Sequence, residues 1–277
     1  MTKSEINLRL QDKSLYGIYW QAENPIAIVV LVHGFGEHIA WFEEVAIHIN
    51  NKNISVIGVD LIGHGKSEGK RGVINSFDDF FECIDVVLKY LDKEDNDLPR
   101  VLYGHSMGGN IIVNYLLHHP ENNFCCALAT SPWFKLSMQP TWIQLFLAKT
   151  MNVIYPSFVQ TAKLDPEEIS SVKAVQERYT SDPLIHEMIS ARIYNEIYKY
   201  GLEAIDNASR LSIPLLVAHG DADGITSHLA SEEFVSNAPN ATLKLWPGLK
   251  HETHYEHNKD EVVDFYVDWV VQHIDNA

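Results

Sequence analysis

The first twenty residues, MTKSEINLRLQDKSLYGIYW, alternate polar and apolar side chains, the period-2 pattern of a half-buried hairpin. Beyond residue 26 the pattern changes. Short, nearly continuous apolar runs recur at 27–34, 54–60, 100–106, 125–131, 213–220 and 242–248. Amphipathic segments of helical period lie between them, near 41–50, 76–93, 107–119, 228–237 and 259–274. Strands that are apolar on both faces and alternate with helices predict a mostly parallel sheet covered by helices on each side. For the last helix the pair Asn258 and Glu261 predicts a capping box.

The alternation stops between about 132 and 210. This stretch reads as several helices with no strand among them, with a start signal at Asp165, Pro166 and Glu168 and punctuation at Ser181, Asp182 and Pro183. The expected organisation is a core of residues 1–131 and 211–277 carrying a helical cap, 132–210. Within the cap, LSMQPTWIQLFLAKTMNVIYPSFV is apolar nearly all round, with only a narrow stripe of Gln144, Lys149 and Asn152. Such a helix either packs inside the cap or meets an acyl chain, a membrane or a micelle surface.

Composition narrows the partners. A chain of 277 residues, 46% of them hydrophobic, buries a sizeable core. With 37 acidic against 21 basic residues the net charge is −16, a field that opposes nucleic acid and anionic membrane surfaces. Three cysteines make no disulfide framework, and the neighbours Cys125 and Cys126 point to opposite sides of a strand. No run has the length of a membrane span, and the N-terminal pattern lacks the continuous apolar stretch of a signal peptide. A cytoplasmic protein is expected.

Candidate chemistry begins with GHSMGG, residues 104–109, which follows the strand RVLY and opens the helix NIIVNYLL. This is G-x-S-x-G in the context it requires, a sharp strand-to-helix turn that lifts Ser106 clear of the sheet. A serine hydroxyl is a weak nucleophile near neutrality, so a histidine must take its proton and a carboxylate must hold that histidine. Downstream, HGDADGITS at 219–227 offers Asp221 and Asp223, and KHETHYEH at 250–257 offers His251, His254 and His257. His251 follows its strand by only a short loop, which keeps it near the edge where Ser106 stands. A metal site built from the three histidines lacks a partner at obvious ligand spacing, and no metal or other cofactor is expected.

The tetrahedral intermediate of acyl transfer also needs donors for its oxyanion. The residue after the nucleophile and the loop HGFGEH, 33–38, supply them: the backbone amides of Met107 and Phe35, which also make these residues the substrate-binding candidates. His33 is expected to bond loop carbonyls, and His105 points away along the turn. A further glycine-rich loop, DLIGHGKSEGKRG at 60–72, lacks the spacing of a phosphate cradle and reads as a tight turn at the sheet edge.

Taken in order, HGFGEH, DLIGHGKSEGKRG, GHSMGG, SDPL, HGDADGIT and PGLKHETHYE resemble the monoacylglycerol lipase and lysophospholipase branch of the α/β-hydrolases, from about residue 27 onward. The resemblance implies a sheet of about eight strands under a helical cap. It implies a cofactor-free serine hydrolase that releases a fatty acid from a monoacylglycerol, with Ser106 as nucleophile, Asp223 as acid and His251 as base. Spacing adds weight to Asp223, because a G-x-x-D turn carries the chain past the strand end before the carboxylate turns in. The alternatives are a broader carboxylesterase or lysophospholipase, and a ligand-binding protein that keeps the fold without turnover.

Overall fold

The computed structural model describes residues 1–94, 98–121 and 123–274. The alternating N-terminus forms a hairpin of β1 (Thr2–Leu10) and β2 (Lys13–Gln21), antiparallel from Thr2 opposite Gln21 to Leu10 opposite Lys13. There follow β3 (Ala27–Val32), α1 (Glu43–Asn50, entered through a 3-10 turn at Ile39–Phe42), β4 (Ile54–Val59), α2 (Asp78–Glu94), β5 (Arg100–His105), α3 (Met107–His118) and β6 (Phe124–Thr130). Next come α4 (Trp142–Ile154), β7 (Val159–Thr161), α5 (Pro166–Ile169), α6 (Lys173–Ser181), β8 (Met188–Ser190) and α7 (Ala191–Asp206). The chain returns with β9 (Leu215–Gly220), α8 (His228–Asn237), β10 (Ala241–Trp246) and α9 (Lys259–Ile274); residues 275–277 of the expected core segment lie outside the described residues.

Eight strands form one sheet in the order β1-β2-β4-β3-β5-β6-β9-β10. The β1–β2 and β2–β4 pairs are antiparallel and all others are parallel. Each side of the sheet has its own apolar core. Ile28, Val30 and Val32 of β3 pack into the core shared with α2, α3, α7 and α8, while Val29 and Leu31 face the core shared with α1 and α9. A strand buried on both faces has no polar position to alternate, which is why these runs read as continuous. Each such fully buried aliphatic side chain contributes about 1.5–3 kcal/mol relative to exposure.

Two expectations need correction. The inserted stretch is not wholly helical: β7 and β8 pair antiparallel, Val159 opposite Ser190, in a small ladder of their own. Three-residue strands carry too little pattern to stand out from a helical background. Asn258 does not cap α9 through its side-chain oxygen; its amide Nδ2 donates to Glu261 Oε2 at 3.1 Å. A capping box is found instead at α4, where Thr141 and Gln144 satisfy each other's backbone N–H groups. The start signal at Asp165 is realised, with the carboxylate accepting from Glu167 N and Pro166 opening α5. Helix α7 packs along α3 and α8, its Gly201 pressed against the Phe134 carbonyl, and so lies in the helical layer of the sheet.

Candidate active site

Ser106 occupies the junction of β5 and α3 with φ 55° and ψ −116°, a left-handed backbone that costs a non-glycine residue about 1–3 kcal/mol. The surroundings hold it there. Its N–H donates to the Thr130 carbonyl at 2.9 Å, and its carbonyl accepts from Asn110 N at 3.1 Å and Trp133 N at 3.0 Å. Crossing of strand and helix leaves no space for side chains: a Cβ on Gly104 would stand 2.3 Å from the Gly108 carbonyl, and one on Gly108 2.2 Å from that of Val32. Ser106 then lines a cavity of about 180 Å³ together with His251, Phe35 and Glu37.

Asp223 and His251 are brought together, with Nδ1 of the histidine 2.7 Å from Oδ2 of the aspartate. The carboxylate dictates the tautomer: Nδ1 carries the hydrogen and donates it, leaving Nε2 with the lone pair that a base requires. Asp223 Oδ1 accepts from the N–H groups of Ile225 and Thr226 at 2.8 and 3.0 Å. Burial alone would raise its pKa, but the charge of His251 and the hydrogen bonds from His219 and His251 outweigh it and hold the carboxyl well below the usual range. Asp221, by contrast, is exposed and accepts from Gly248 N at 2.6 Å, tying two loops. Of the other histidines, His254 is buried behind the site and His257 faces solvent.

The 33–38 loop explains itself atom by atom. His33 donates from Nδ1 to the Gly34 carbonyl at 2.8 Å and accepts from Leu61 N at Nε2, 2.9 Å away. Burial lowers its pKa to about 3, so it stays neutral and keeps both bonds. In a trans peptide the carbonyl and the next N–H point oppositely, so drawing the Gly34 oxygen toward His33 aims the Phe35 N–H the other way. Glu37 Oε2 accepts from Gly34 N at 2.8 Å, and the inserted stretch grips the loop where His186 N donates to the Gly36 carbonyl at 2.9 Å. Gly36 has φ 74°, and a Cβ there would meet the His186 carbonyl at 2.1 Å. The Met107 N–H belongs to the first turn of α3, which leaves it without an intrahelical acceptor.

Several groups around this site escaped sequence reasoning. Glu37 and Glu252 are both buried and hydrogen-bonded to each other, and both carboxyls are pushed up, by burial first and for Glu252 also by the charge of Glu37. Trp41 Nε1 donates to both oxygens of Glu252 at 3.1 and 3.0 Å. With His105 they offer three ligand atoms within 4.8 Å of one another. The only signal was position: Glu37 stands inside HGFGEH and Glu252 next to His251. His219, also missed, lies 3.0 Å from Asp223 through Nε2.

Above the serine cavity a larger one of about 870 Å³ runs beneath α4, and Leu136, Gln160 and Tyr194 line both. Helix α4 has no buried residue. Leu147, Met151 and Ile154 line the large cavity, while Trp142, Phe146 and Val153 are 77%, 62% and 83% exposed and lie outside its lining. Leu147 and Ile154 are themselves largely exposed, so the helix is apolar on its cavity side and on its outer side alike. Among the described residues no helix is long and apolar enough to cross a membrane.

A strained serine between a parallel strand and a helix, with a histidine–aspartate pair on later loops of the same sheet edge, is the architecture of the α/β-hydrolases. Comparison with known proteins agrees. Residues 23–258 match the family described as serine aminopeptidase, S33. Human monoglyceride lipase is 30% identical over 87% of this chain and 81% of its own. An abhydrolase domain-containing protein of Dictyostelium discoideum is 32% identical across the whole chain, which spans only 30% of that protein's length. The crystal structure of Paleococcus ferrophilus monoacylglycerol lipase, 29% identical, superposes with a TM-score of 0.86 over 94% of this chain and 99% of that one. The chain belongs to the S33 family of α/β-hydrolases, and family and fold together make it an enzyme of the hydrolase class.

Proposed function

We propose that the protein is a serine carboxylic ester hydrolase whose substrate is a fatty-acid ester of glycerol, a monoacylglycerol above all. Ester hydrolysis follows from the family; the monoacylglycerol follows from the relatives' activities and from an apolar channel roomy enough for an acyl chain. In this reading Ser106 attacks the ester carbonyl as His251 Nε2 takes its proton, and Asp223 orients and stabilises the resulting imidazolium. The amides of Phe35 and Met107 receive the oxyanion. His251 then protonates the leaving glycerol oxygen, and water repeats the sequence on the acyl-enzyme to release the fatty acid. The observation that carries the proposal is the 2.7 Å bond of His251 to Asp223 in a cavity that His251 shares with Ser106.

The division into core and cap belongs to the same proposal. The cap is the stretch 132–210, and α7 joins it to the core by packing on α4 on one side and on α3 and α8 on the other. Its exposed Trp142, Phe146 and Val153 suit transient contact with a lipid surface from which substrate is drawn. The net charge of −16 favours a neutral or zwitterionic surface and a neutral lipid. Three free cysteines fit a reducing compartment and a cytoplasmic location.

A fluorophosphonate probe followed by a substrate panel tests the reading. Labelling is expected at Ser106 and is lost in Ser106→Ala, and long-chain monoacylglycerols are expected to exceed lysophospholipids and short synthetic esters in kcat/KM. Labelling that survives the substitution refutes the nucleophile. A preference for lysophospholipids or short esters refutes the substrate.

A further inference from the structure

The acid of the site has a second imidazole on it. Asp223 Oδ2 faces His251 Nδ1 at 2.7 Å, His219 Nε2 at 3.0 Å and Thr226 Oγ1 at 2.8 Å. On its far side, His219 Nδ1 lies 2.8 Å from Ser231 Oγ on α8, and both residues are fully buried. A carboxylate oxygen only accepts, so His219 must carry its hydrogen on Nε2. Its Nδ1 then has only a lone pair, and the Ser231 hydroxyl donates to it. The hydroxyl of Thr226 also lies 3.1 Å from the Ser131 carbonyl, and its single hydrogen serves one acceptor at a time. Of the side chains around Oδ2 beyond His251, His219 alone has a donor that cannot rotate away.

We infer that His219, set in its Nε2–H tautomer by Ser231, is a positioning residue that clamps the Asp223 carboxylate and weakens its pull on His251. This rests on the proposed triad and extends it outward by two members. Strand β9 delivers His219 from inside the sheet, in register with Leu245 of β10, and its fully buried ring is bonded at both nitrogens. A carboxylate that receives one more fixed donor holds an imidazolium less tightly. The effect is to keep the base free of a bound proton at lower pH. The other titratable groups facing this assembly are His105 of β5, His228 of α8 and, behind His251, His254 with the Glu37–Glu252 pair. Burial keeps His105 and His254 neutral.

The test compares His219→Leu, which removes the donor, with His219→Gln, whose amide nitrogen can replace it. In His219→Leu the acidic limb of kcat/KM is expected to move up by about half to one pH unit, the worth of one hydrogen bond, with a roughly threefold to tenfold lower plateau. In His219→Gln most of both changes is restored. A limb that stays where it is in His219→Leu, while Ser106 still takes up fluorophosphonate, overturns the inference and leaves the hydrolase reading intact. Absence of labelling in the unaltered enzyme overturns that reading instead. Two-bond proton–nitrogen correlation on the unaltered enzyme keeps the matter decidable if the leucine variant does not fold: a proton on Nε2 of neutral His219 is expected. A proton on Nδ1 with none on Nε2 refutes the clamp.

Discussion

Replacing Asp223 with asparagine changes one oxygen into NH₂ in a site where almost every neighbour is a donor. Oδ1 already accepts two backbone N–H groups, so the amide oxygen must keep that side and the NH₂ takes the place of Oδ2. It then confronts His251 Nδ1 at 2.7 Å and His219 Nε2 at 3.0 Å. Two donors cannot face each other, so His251 adopts the other tautomer and presents a hydrogen where the lone pair should be. The corresponding exchange in a serine protease lowers kcat about 10⁴-fold, which is about 5.5 kcal/mol of barrier. Here the loss should be at least as complete, because no rotation of the amide relieves both contacts. Asp221→Asn is the control: an asparagine oxygen still accepts from Gly248 N, so activity is expected within about twofold. Steady-state hydrolysis of a monoacylglycerol, with the folded fraction measured by thermal melting, decides the point. An Asp223→Asn enzyme within tenfold of the unaltered one, or a larger loss in Asp221→Asn, refutes the tautomer argument.

Other consequences are equally direct. Glu252→Gln can donate to Glu37 and accept from Trp41, so activity is expected within about threefold, whereas Glu252→Leu strands two buried polar groups and costs about 1–3 kcal/mol each in urea unfolding. Equal stability of the two variants contradicts the polar pairing of Glu252 with Glu37 and Trp41. His33 and His254, with pKa values lowered to about 3 by burial, stay neutral when folded but take up protons when unfolded below about pH 6.5. The raised carboxyls of Glu37 and Glu252 oppose this trend less and less as they become protonated in the unfolded chain as well, so below about pH 4.5 stability should fall as the pH falls, by up to about 1.4 kcal/mol per unit for each histidine, until about pH 3. The lowered carboxyl of Asp223 acts in the same direction. Stability that is flat from pH 4.5 to 3.5 refutes neutral burial. Finally, Trp142→Ser with Phe146→Ser should weaken sedimentation with phosphatidylcholine vesicles severalfold and leave turnover of a water-soluble ester unchanged; undiminished vesicle binding refutes the contact surface.

What could be read from the sequence follows a physical divide. The β3, β4, β5, β6 and β9 runs were legible because strands buried on both faces leave uninterrupted apolar letters, and α3 because its glycines announce the turn before it. The placement of Ser106 at the strand-to-helix turn, of His251 beside it and of the 33–38 loop was legible because local chain geometry imposes their spacing. The β7–β8 ladder was not, since three-residue strands depend on a partner some thirty residues away. His219 was hidden inside an apolar strand, where a histidine looks like an interruption until the fold sets Asp223 against it. Glu37 and Glu252 could not be paired by inspection, because only the sheet brings residues 215 positions apart into one hydrogen bond.

The grip of the cap on the 33–38 loop bears on how such enzymes can be rebuilt. His186 N holds the Gly36 carbonyl and Asp182 meets His38 at 3.0 Å, so the segment 182–186 fastens the 33–38 loop. A chimera that exchanges the whole inserted stretch for another would remove that fastening and arrive with a slack 33–38 loop, whatever its new pocket. The exchangeable part is the stretch from Met138 to Phe158, which contributes cavity-facing and surface-facing side chains and, among the described residues, no hydrogen bond to the loop.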